Sequence, residues 1–140
     1  MKYPEQKLDP KWVTGELKID NSVVKWLESF GYFLAKSKDS EPDPITTTQI
    51  RKFFGEVKKI QADFDNKKDQ VIMLSPKLAY AVGRDEYSRK LMRKKTKIEE
   101  FQKEVDKAIK VVGEDKDNYD RFVSILEGIV AYHKYAGGKN

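Results

Sequence analysis

The chain has 140 residues, a net charge of +5 and charged side chains at 36% of its positions. The chain has no cysteine and one histidine. This composition excludes disulfides, thiol nucleophiles, cysteine-ligated metals and histidine-rich metal sites within one chain. Two Trp, seven Tyr and seven Phe residues favour a folded core over disorder. The length predicts one domain. Neither a signal-peptide core nor a stretch of about 18 uncharged apolar residues is present, so we expect a cytoplasmic protein without a membrane partner.

Residues 1–44 are predicted to form an N-terminal appendage to the main body. Its first half looks irregular, because two prolines and a glycine interrupt any periodic pattern. A helix is expected from about Ser22 to Ala35, with Asn21 or Ser22 as its N-cap. Residues 36–44, KSKDSEPDP, are predicted to be a linker because they carry two prolines and three acids. The main domain is therefore expected to cover residues 45–140.

Two helical segments are predicted in the first part of the main body. The second helix starts at Thr46 and runs to about Phe64, since Thr46 and Gln49 have the spacing of a capping box. Its apolar residues fall on one face, which must pack on a core. A third segment covers about Lys68–Val82, in which Pro76 either kinks the helix or restarts it. Gly83 is the expected C-cap.

The last part of the chain predicts two more helices. A long fourth helix is expected from about Glu86 to Val112, with an apolar stripe near period 3.5 and Gly113 as its end. A fifth helix is expected from about Asn118 to Ala136, with His133 on its apolar face. No alternating strand pattern bounded by hairpin residues is visible. The fold class is therefore predicted to be all-α, a compact bundle of about five helices.

The chain lacks the motifs of the common catalytic sites. Di-iron bundles need Glu-x-x-His, whereas Val130 lies three residues before His133. Neither GxxxxGK[ST] nor GxGxxG occurs, and no nucleophile, acid and base are poised by spacing. We therefore expect no enzyme activity, no cofactor and no metal site.

Cations are spaced along one face of the second predicted helix. Arg51, Gly55 and Lys59 lie at i, i+4 and i+8, and Lys52 and Lys58 flank them. A glycine between cations lets a polyanion backbone approach the helix closely, although it costs about 1 kcal/mol of helix propensity relative to alanine. The alternative is a solvated surface with a tolerated glycine.

A denser group of cations lies at residues 89–97. This segment, RKLMRKKTK, has six cations and no acid. It favours nonspecific attraction of phosphate. The alternative is a solvated helix face that Glu99, Glu100 and Glu104 balance.

Three further positions each allow two interpretations. Tyr80 and Arg84 share a helix face, on which they either stack on a base and hold a phosphate or pack on each other. His133, alone on an apolar face, is more often a buried, hydrogen-bonded residue than a ligand. The end of the chain, residues 134–139, places two lysines around a Gly pair that either contacts phosphate or caps the helix.

Three segments in order resemble a known family. They are ITTTQIRKF at residues 45–53, PKLAYAVGR at 76–84 and VAYHKYAGGK at 130–139. Together they closely resemble the small subunit of the type III-A CRISPR effector, the Csm complex. The resemblance covers roughly Ile45 to Asn140, and residues 1–44 match no pattern of that family.

The resemblance implies a non-nuclease component of RNA-guided immunity. In that family several copies stack head to tail along the backbone filament and line the groove that holds CRISPR RNA and target RNA. The implied partners are these RNAs, the backbone and large subunits, and further copies of the chain. Two competing hypotheses stay open: a stand-alone interaction module that homodimerises by exchanging its last helices, and an enzyme acting on RNA or a nucleotide through His133.

The resemblance and the helix geometry together predict a set of RNA-binding residues. Lys59 rests only on its row with Arg51 and Gly55, and Arg121 only on its place one turn into the last helix. The full set is Arg51, Lys52, Lys59, Lys77, Tyr80, Arg84, Arg121, His133, Lys134 and Lys139.

Overall fold

The structure is a computed structural model that describes residues 2–138. In chain order the elements are α1 (Lys11–Thr14), α2 (Asn21–Ala35), α3 (Thr47–Ala62), α4 (Phe64–Lys67), a 3-10 turn (Lys68–Gln70), α5 (Leu74–Arg84), β1 (Tyr87–Ser88), β2 (Arg93–Lys94), α6 (Ile98–Val112) and α7 (Lys116–Tyr135). Five of these helices have eleven residues or more, and the strands form one short antiparallel hairpin. The predicted all-α class with about five long helices is confirmed. Among the described helices, none is long and apolar enough to cross a membrane.

The start of α3 follows the predicted capping box. The Thr46 hydroxyl accepts from the backbone N–H of Gln49 at 3.0 Å, and the Gln49 side chain accepts from the Thr46 N–H at 2.9 Å. These two bonds satisfy donors that the first helical turn leaves free. The helix ends at Ala62, slightly before the predicted end, and α4 follows directly after Asp63.

The segment before α2 packs on the main body. Leu8, Trp12 and Val13 are buried in the same core as α6 and α7. The indole N–H of Trp26 donates to the carbonyl of Gln6 at 2.8 Å. The cap of α2 is Asp20 rather than Asn21 or Ser22, since its carboxylate accepts from the N–H of Ser22. Apolar contacts thus cross residue 44, and the division at that point stays a prediction.

α2 and α7 run parallel and in close contact. Gly31 lies against Tyr132, and Gly128 lies against Leu27, so that a Cβ on either glycine would come within 2.5 Å of the facing side chain. α3 runs antiparallel to α7, because Gln61 near the end of α3 contacts Asp120, whereas Lys58 contacts Glu127 farther along α7. These contacts bring the C-terminal ends of α2 and α7 to the same end of the bundle as the start of α3.

The predicted long fourth helix is wrong in its first half. Residues 87–94 form the hairpin, and α6 begins only at Ile98. Met92 at the hairpin has a φ of 57°, a left-handed conformation that no helix continues. The guanidinium of Arg93 donates to the carboxylate of Glu100 at 2.7 and 2.8 Å, which anchors the hairpin on α6.

α5 resolves the two predictions made for the third helical segment. Pro76 lies in its first turn, where backbone N–H groups have no helical partner in any case. The predicted helix restart therefore holds, and no kink is needed. Gly83 is not the C-cap, since the helix continues to Arg84 and ends at Asp85.

Candidate nucleic-acid interface

The solvent side of α3 carries a row of cations. The opposite side is buried in the core through Ile50, Val57 and Ile60, among others. Four exposed residues lie on the solvent side, and we call them the cationic ridge: Arg51, Lys52, Gly55 and Lys59. Apart from the adjacent residues and the backbone of its own helix, no atom of the described residues lies within 4 Å of the position that a Cβ on Gly55 would take. The ridge therefore combines positive charge with open access to the helix backbone.

The charges of the cationic ridge face solvent without strong internal partners. Among residues 2–138, Arg51 and Lys52 form no ion pair. Lys59 lies 3.8 Å from Glu56, but the lysine side chain is 70% exposed, and such surface pairs contribute little. All three cations are thus available to an anionic ligand.

An open groove of about 780 Å³ separates α3 from α5. It brings together residues from two of the three predicted motifs: Lys52 from α3, and Lys77, Tyr80 and Arg84 from α5. None of the described residues of the third motif, 130–138, lines this groove. The apolar residues that line it include Phe53, Met73, Pro76, Ala81 and Ile98.

Most charges around the groove are already paired. Lys77 contacts Glu56 at 3.1 Å, and this hydrogen bond lowers the pKa of the Glu56 carboxyl. The guanidinium carbon of Arg84 lies 5.8 Å from the centroid of the Tyr80 ring, which is the packing that the i, i+4 spacing offered as its second interpretation. Lys52 and Arg84 remain as the groove cations without a carboxylate partner among residues 2–138.

His133 has a structural role instead of the predicted contact with RNA. Its side chain is 1% exposed, and Nε2 lies 2.8 Å from the carbonyl oxygen of Ile45. Burial lowers the pKa of the imidazole, the Ile45 carbonyl opposes that change, and nearby Lys134 adds to it. Gly138 packs directly on the ring, where a Cβ would overlap it. A ligand outside the protein does not reach this group.

The other predicted residues near α7 lie apart from the groove. Arg121 is a structural link, since its guanidinium donates to the carbonyls of Val13 and Thr14 at 2.7 and 3.2 Å and to Asn118 at 2.8 Å. Lys134 is exposed near the end of α7. Lys139 lies outside the described residues.

The glycine pair after α7 caps the helix. The N–H groups of Gly137 and Gly138 donate to the carbonyls of Lys134 and His133 at 3.0 and 2.9 Å. Gly137 has a φ of 92°, which glycine adopts readily at the end of a helix. This is the second of the two interpretations offered for residues 134–139.

Two buried charged residues were not predicted from the sequence: Lys97, which precedes α6, and Glu104, which lies on α6. Lys97 is 1% exposed, and its ammonium donates to the carbonyls of Phe33 and Lys36 at 2.8 and 2.7 Å. Burial lowers its pKa. Glu104 is equally buried and accepts from the N–H of Leu8 at 2.9 Å. Their spacing with Phe101, at four and three residues, was the one sequence indication that both lie on the inner face.

The fold and this surface define a small helical protein with a basic, exposed helix face. The described residues contain no group of three or more side chains suited to hold a metal ion. The family model Csm2 Type III-A matches residues 22–139, so the chain belongs to the Csm2 family and is a small subunit of the type III-A Csm effector complex. Comparisons with curated proteins and with solved structures found no match.

The family match confirms the resemblance noted in the three motifs and corrects its extent. The match begins at residue 22, at the start of α2, rather than near Ile45. α2 therefore belongs to the family region, in agreement with its close packing on α7.

Proposed function

We propose that the chain is a non-catalytic RNA-binding subunit that supports pairing of CRISPR RNA with target RNA in antiviral defence. The observation that carries this proposal is the cationic ridge, with three available cations around a glycine that leaves the helix backbone open. The RNA-facing residues are Arg51, Lys52 and Lys59. The expected cytoplasmic location is part of the same proposal.

The chemistry of the cationic ridge suits contact with phosphate rather than with bases. In RNA-guided complexes, base pairing supplies the sequence specificity, and the protein recognises shape and backbone charge. Arg51 and Lys59 are eight residues apart on one helix, which spans about 12 Å. A rigid helix holding cations at this spacing neutralises several phosphates without a base-specific pocket. The buried position of the single histidine supports the absence of catalysis.

Several copies acting together strengthen this modest interface. The proposal includes stacking of copies along the backbone filament, with contacts to the backbone and large subunits. Linked copies bind one RNA with avidity, so each copy needs only weak affinity. Homodimerisation by helix exchange stays the alternative, since an exchanged dimer would bury the same apolar faces of α6 and α7 that are buried within one chain here.

The test compares two double variants that remove equal charge. Arg51→Ala with Lys52→Ala should weaken RNA binding and reduce the salt slope of the binding constant by about 2, one unit for each lost phosphate contact. Lys25→Ala with Lys103→Ala is the control, since both lysines are exposed on other helices. Salt titrations of RNA affinity measure both slopes.

Two outcomes would contradict the proposal. An equal decrease in slope for both double variants would indicate that net charge alone, and not the cationic ridge, attracts RNA. RNA cleavage by the purified chain that His133→Ala abolished would contradict the absence of catalysis. Circular dichroism of both double variants should match that of the unmodified chain, because none of the four lysine and arginine side chains is buried.

A further inference from the structure

Three tyrosines lie together where α2 and α7 end side by side. The ring centroid of Tyr135 lies 6.3 Å from that of Tyr32 and 6.5 Å from that of Tyr132. Burial raises the pKa of the Tyr32 hydroxyl, and the nearby groups of Tyr135, Glu28 and Tyr132 raise it further. Side chains from two helices thus form one surface, which we call the tyrosine patch: Tyr32, Tyr132 and Tyr135.

The tyrosine patch is open to solvent. Tyr135 is 75% exposed, whereas Tyr32 and Tyr132 are partly buried. The core does not need Tyr135, because α7 already buries a full apolar face within the chain. Tyrosine is common at binding surfaces, since its large ring makes contacts at a low cost in conformational entropy. An exposed cluster of such rings therefore indicates a binding site.

The charges around the tyrosine patch favour an anionic ligand. Among the described residues within four positions of these tyrosines, the charged side chains that reach solvent are Glu28, Lys36 and Lys134. Neither lysine forms an ion pair among residues 2–138. Lys36 follows α2, but its ammonium lies beside the end of α7, 3.4 Å from the position that a Cβ on Gly137 would take. Two lysines and one glutamate give the site a net positive charge.

The backbone at this end of the bundle does not oppose an anion. The C-terminal end of a helix normally carries free carbonyl groups and a partial negative charge. At the end of α2, the buried ammonium of Lys97 donates to two carbonyls. At the end of α7, the N–H groups of residues 136–138 donate to the carbonyls of residues 132–134. Donors thus satisfy carbonyls that would otherwise repel a phosphate.

The composition of the tyrosine patch favours RNA over a protein partner. The large aliphatic side chains that are exposed in residues 2–138 lie elsewhere, such as Ile72 and Met73 beside α5 and Val24 two turns before Tyr32. A protein interface has a contiguous apolar centre. Rings flanked by free cations are instead the arrangement that binds unpaired nucleotides, since bases stack on the rings and cations contact the phosphates.

We propose that the tyrosine patch binds single-stranded RNA, with a base stacked on Tyr135 and the adjacent phosphates at Lys36 and Lys134. An unpaired base is needed, because stacking on a side chain requires a base that has left its duplex neighbours. The cationic ridge has cations without rings, so it suits the phosphates of a duplex. This inference rests on the RNA binding in the proposed function and adds a second site with a different class of RNA ligand.

The test compares two RNA ligands and matched tyrosine variants of the full chain. The ligands are a single-stranded oligouridine of about 12 nucleotides and an RNA duplex of the same length, and fluorescence anisotropy measures both affinities. Tyr135→Leu should weaken binding of the single strand about tenfold, as expected for the loss of one stacked base, and should leave binding of the duplex unchanged. Tyr135→Phe keeps the ring and should keep the affinity. Tyr87→Leu is the matched control, since Tyr87 is 58% exposed on β1.

The two lysines predict a separate change in salt dependence. Lys36→Ala with Lys134→Ala should reduce the salt slope for the single strand by about 1.4, because each phosphate contact with a single strand contributes about 0.7. Tyr135→Leu should lower the affinity and leave the slope nearly unchanged, since it removes no charge. A slope that these lysine changes do not alter would overturn the assignment of phosphates to Lys36 and Lys134.

Photochemical crosslinking locates the bound base directly. An oligouridine that contains thiouridine is irradiated with the unmodified chain, and mass spectrometry identifies the linked residues. We expect links at Tyr135 or its two neighbours in the tyrosine patch. Links confined to α3 and α5 would overturn the proposal, because the single strand would then bind at the cationic ridge or in the groove.

The variants also separate this inference from the function on which it rests. Equal losses for Tyr135→Leu and Tyr87→Leu, or no loss for either, would overturn the inference in favour of a protein partner at the tyrosine patch. Arg51→Ala with Lys52→Ala should weaken the duplex more than the single strand, which would support both assignments. If this double variant binds both ligands normally while Tyr135→Leu loses the single strand, the role of the cationic ridge fails and the inference stands.

Discussion

The cationic ridge and the segment 89–97 show how differently two basic stretches behave in one fold. The segment has six cations in nine residues, but three of them, Arg93, Lys94 and Lys97, form internal hydrogen bonds. The ridge has fewer cations over residues 51–59, and its three cations remain available to solvent. The density of positive charge along a sequence is therefore a poor measure of the charge that a ligand meets.

The difference follows from what lies near each cation. Lys94 and Lys97 lie at the C-terminal ends of α5 and α2, where backbone carbonyls lack helical partners. A cation near such an end is also favoured by the helix dipole. Arg93 faces Glu100 in two parallel hydrogen bonds. The solvent side of α3 presents no comparable acceptors, so its cations stay free.

The largest expected effect tests the structural role of Lys97. Lys97→Met removes the ammonium that lies 3.9 Å from the centroid of the Phe33 ring. It also leaves the buried carbonyl of Phe33 and the partly buried carbonyl of Lys36 without their donor, and a buried unsatisfied group costs about 1–3 kcal/mol. We expect the free energy of unfolding to fall by about 3 kcal/mol, measured by urea denaturation. Lys103→Met should leave it nearly unchanged. An equally small effect for both variants would contradict the conclusion that Lys97 in the segment 89–97 serves the fold, whereas the cations of the cationic ridge are free.

A smaller loss is expected for the anchor of the hairpin. Arg93→Lys keeps the charge but cannot form the paired hydrogen bonds with Glu100, so the unfolding free energy should fall by about 1–2 kcal/mol. Arg89→Lys, at an exposed position of the same hairpin, should have no measurable effect. RNA affinity of the folded Arg93→Lys chain should equal that of the unmodified chain, and a clear decrease would place Arg93 in the interface.

The buried position of His133 predicts a pH dependence of stability that an exposed histidine would not give. Burial lowers the pKa of His133 in the folded state, whereas the unfolded value is about 6.5. The unfolded chain then binds the proton more tightly. The contribution of neutral His133 to the free energy of unfolding is therefore fully present above about pH 6.5 and decreases as the pH falls below that value. Denaturation between pH 7 and 5 should show this decrease, and His133→Gln should reduce it, because the chain has no other histidine. RNA affinity that rose as His133 protonated would instead indicate an exposed imidazole.

The smallest change in stability is expected for Gly55→Ala, which should affect folding and RNA binding in opposite directions. Gly55→Ala meets no atom within 4 Å and should raise the unfolding free energy by about 1 kcal/mol. The added methyl group should weaken RNA binding, because it holds a polyanion away from the helix. Gly83→Ala is the matched control on α5, with equally open space, and should stabilise the chain without changing RNA affinity. Unchanged affinity for Gly55→Ala would indicate a merely tolerated glycine.

The elements that sequence reasoning predicted well are those with local causes. Thr46 and Gln49 satisfy each other within one turn, and the apolar face of α7 follows from a period of 3.6 residues. The first half of the predicted fourth helix was wrong because Leu91 continues the apolar pattern, whereas the left-handed Met92 and the contacts of Arg93 end it. The exposed positions of Arg51, Lys52 and Lys59 followed from the same periodicity, and their contact with RNA stays a prediction.

The sequence by itself determined the helical class, the capped start of α3 and the row of cations on its outer face, since each depends on residues within about two turns of one another. Only the tertiary structure decided which charged groups are free. Lys97 meets a carbonyl 64 positions away, Arg121 one 108 positions away and His133 one 88 positions away. Partners so distant in the chain come together only when the helices pack, so the composition around each residue does not reveal them.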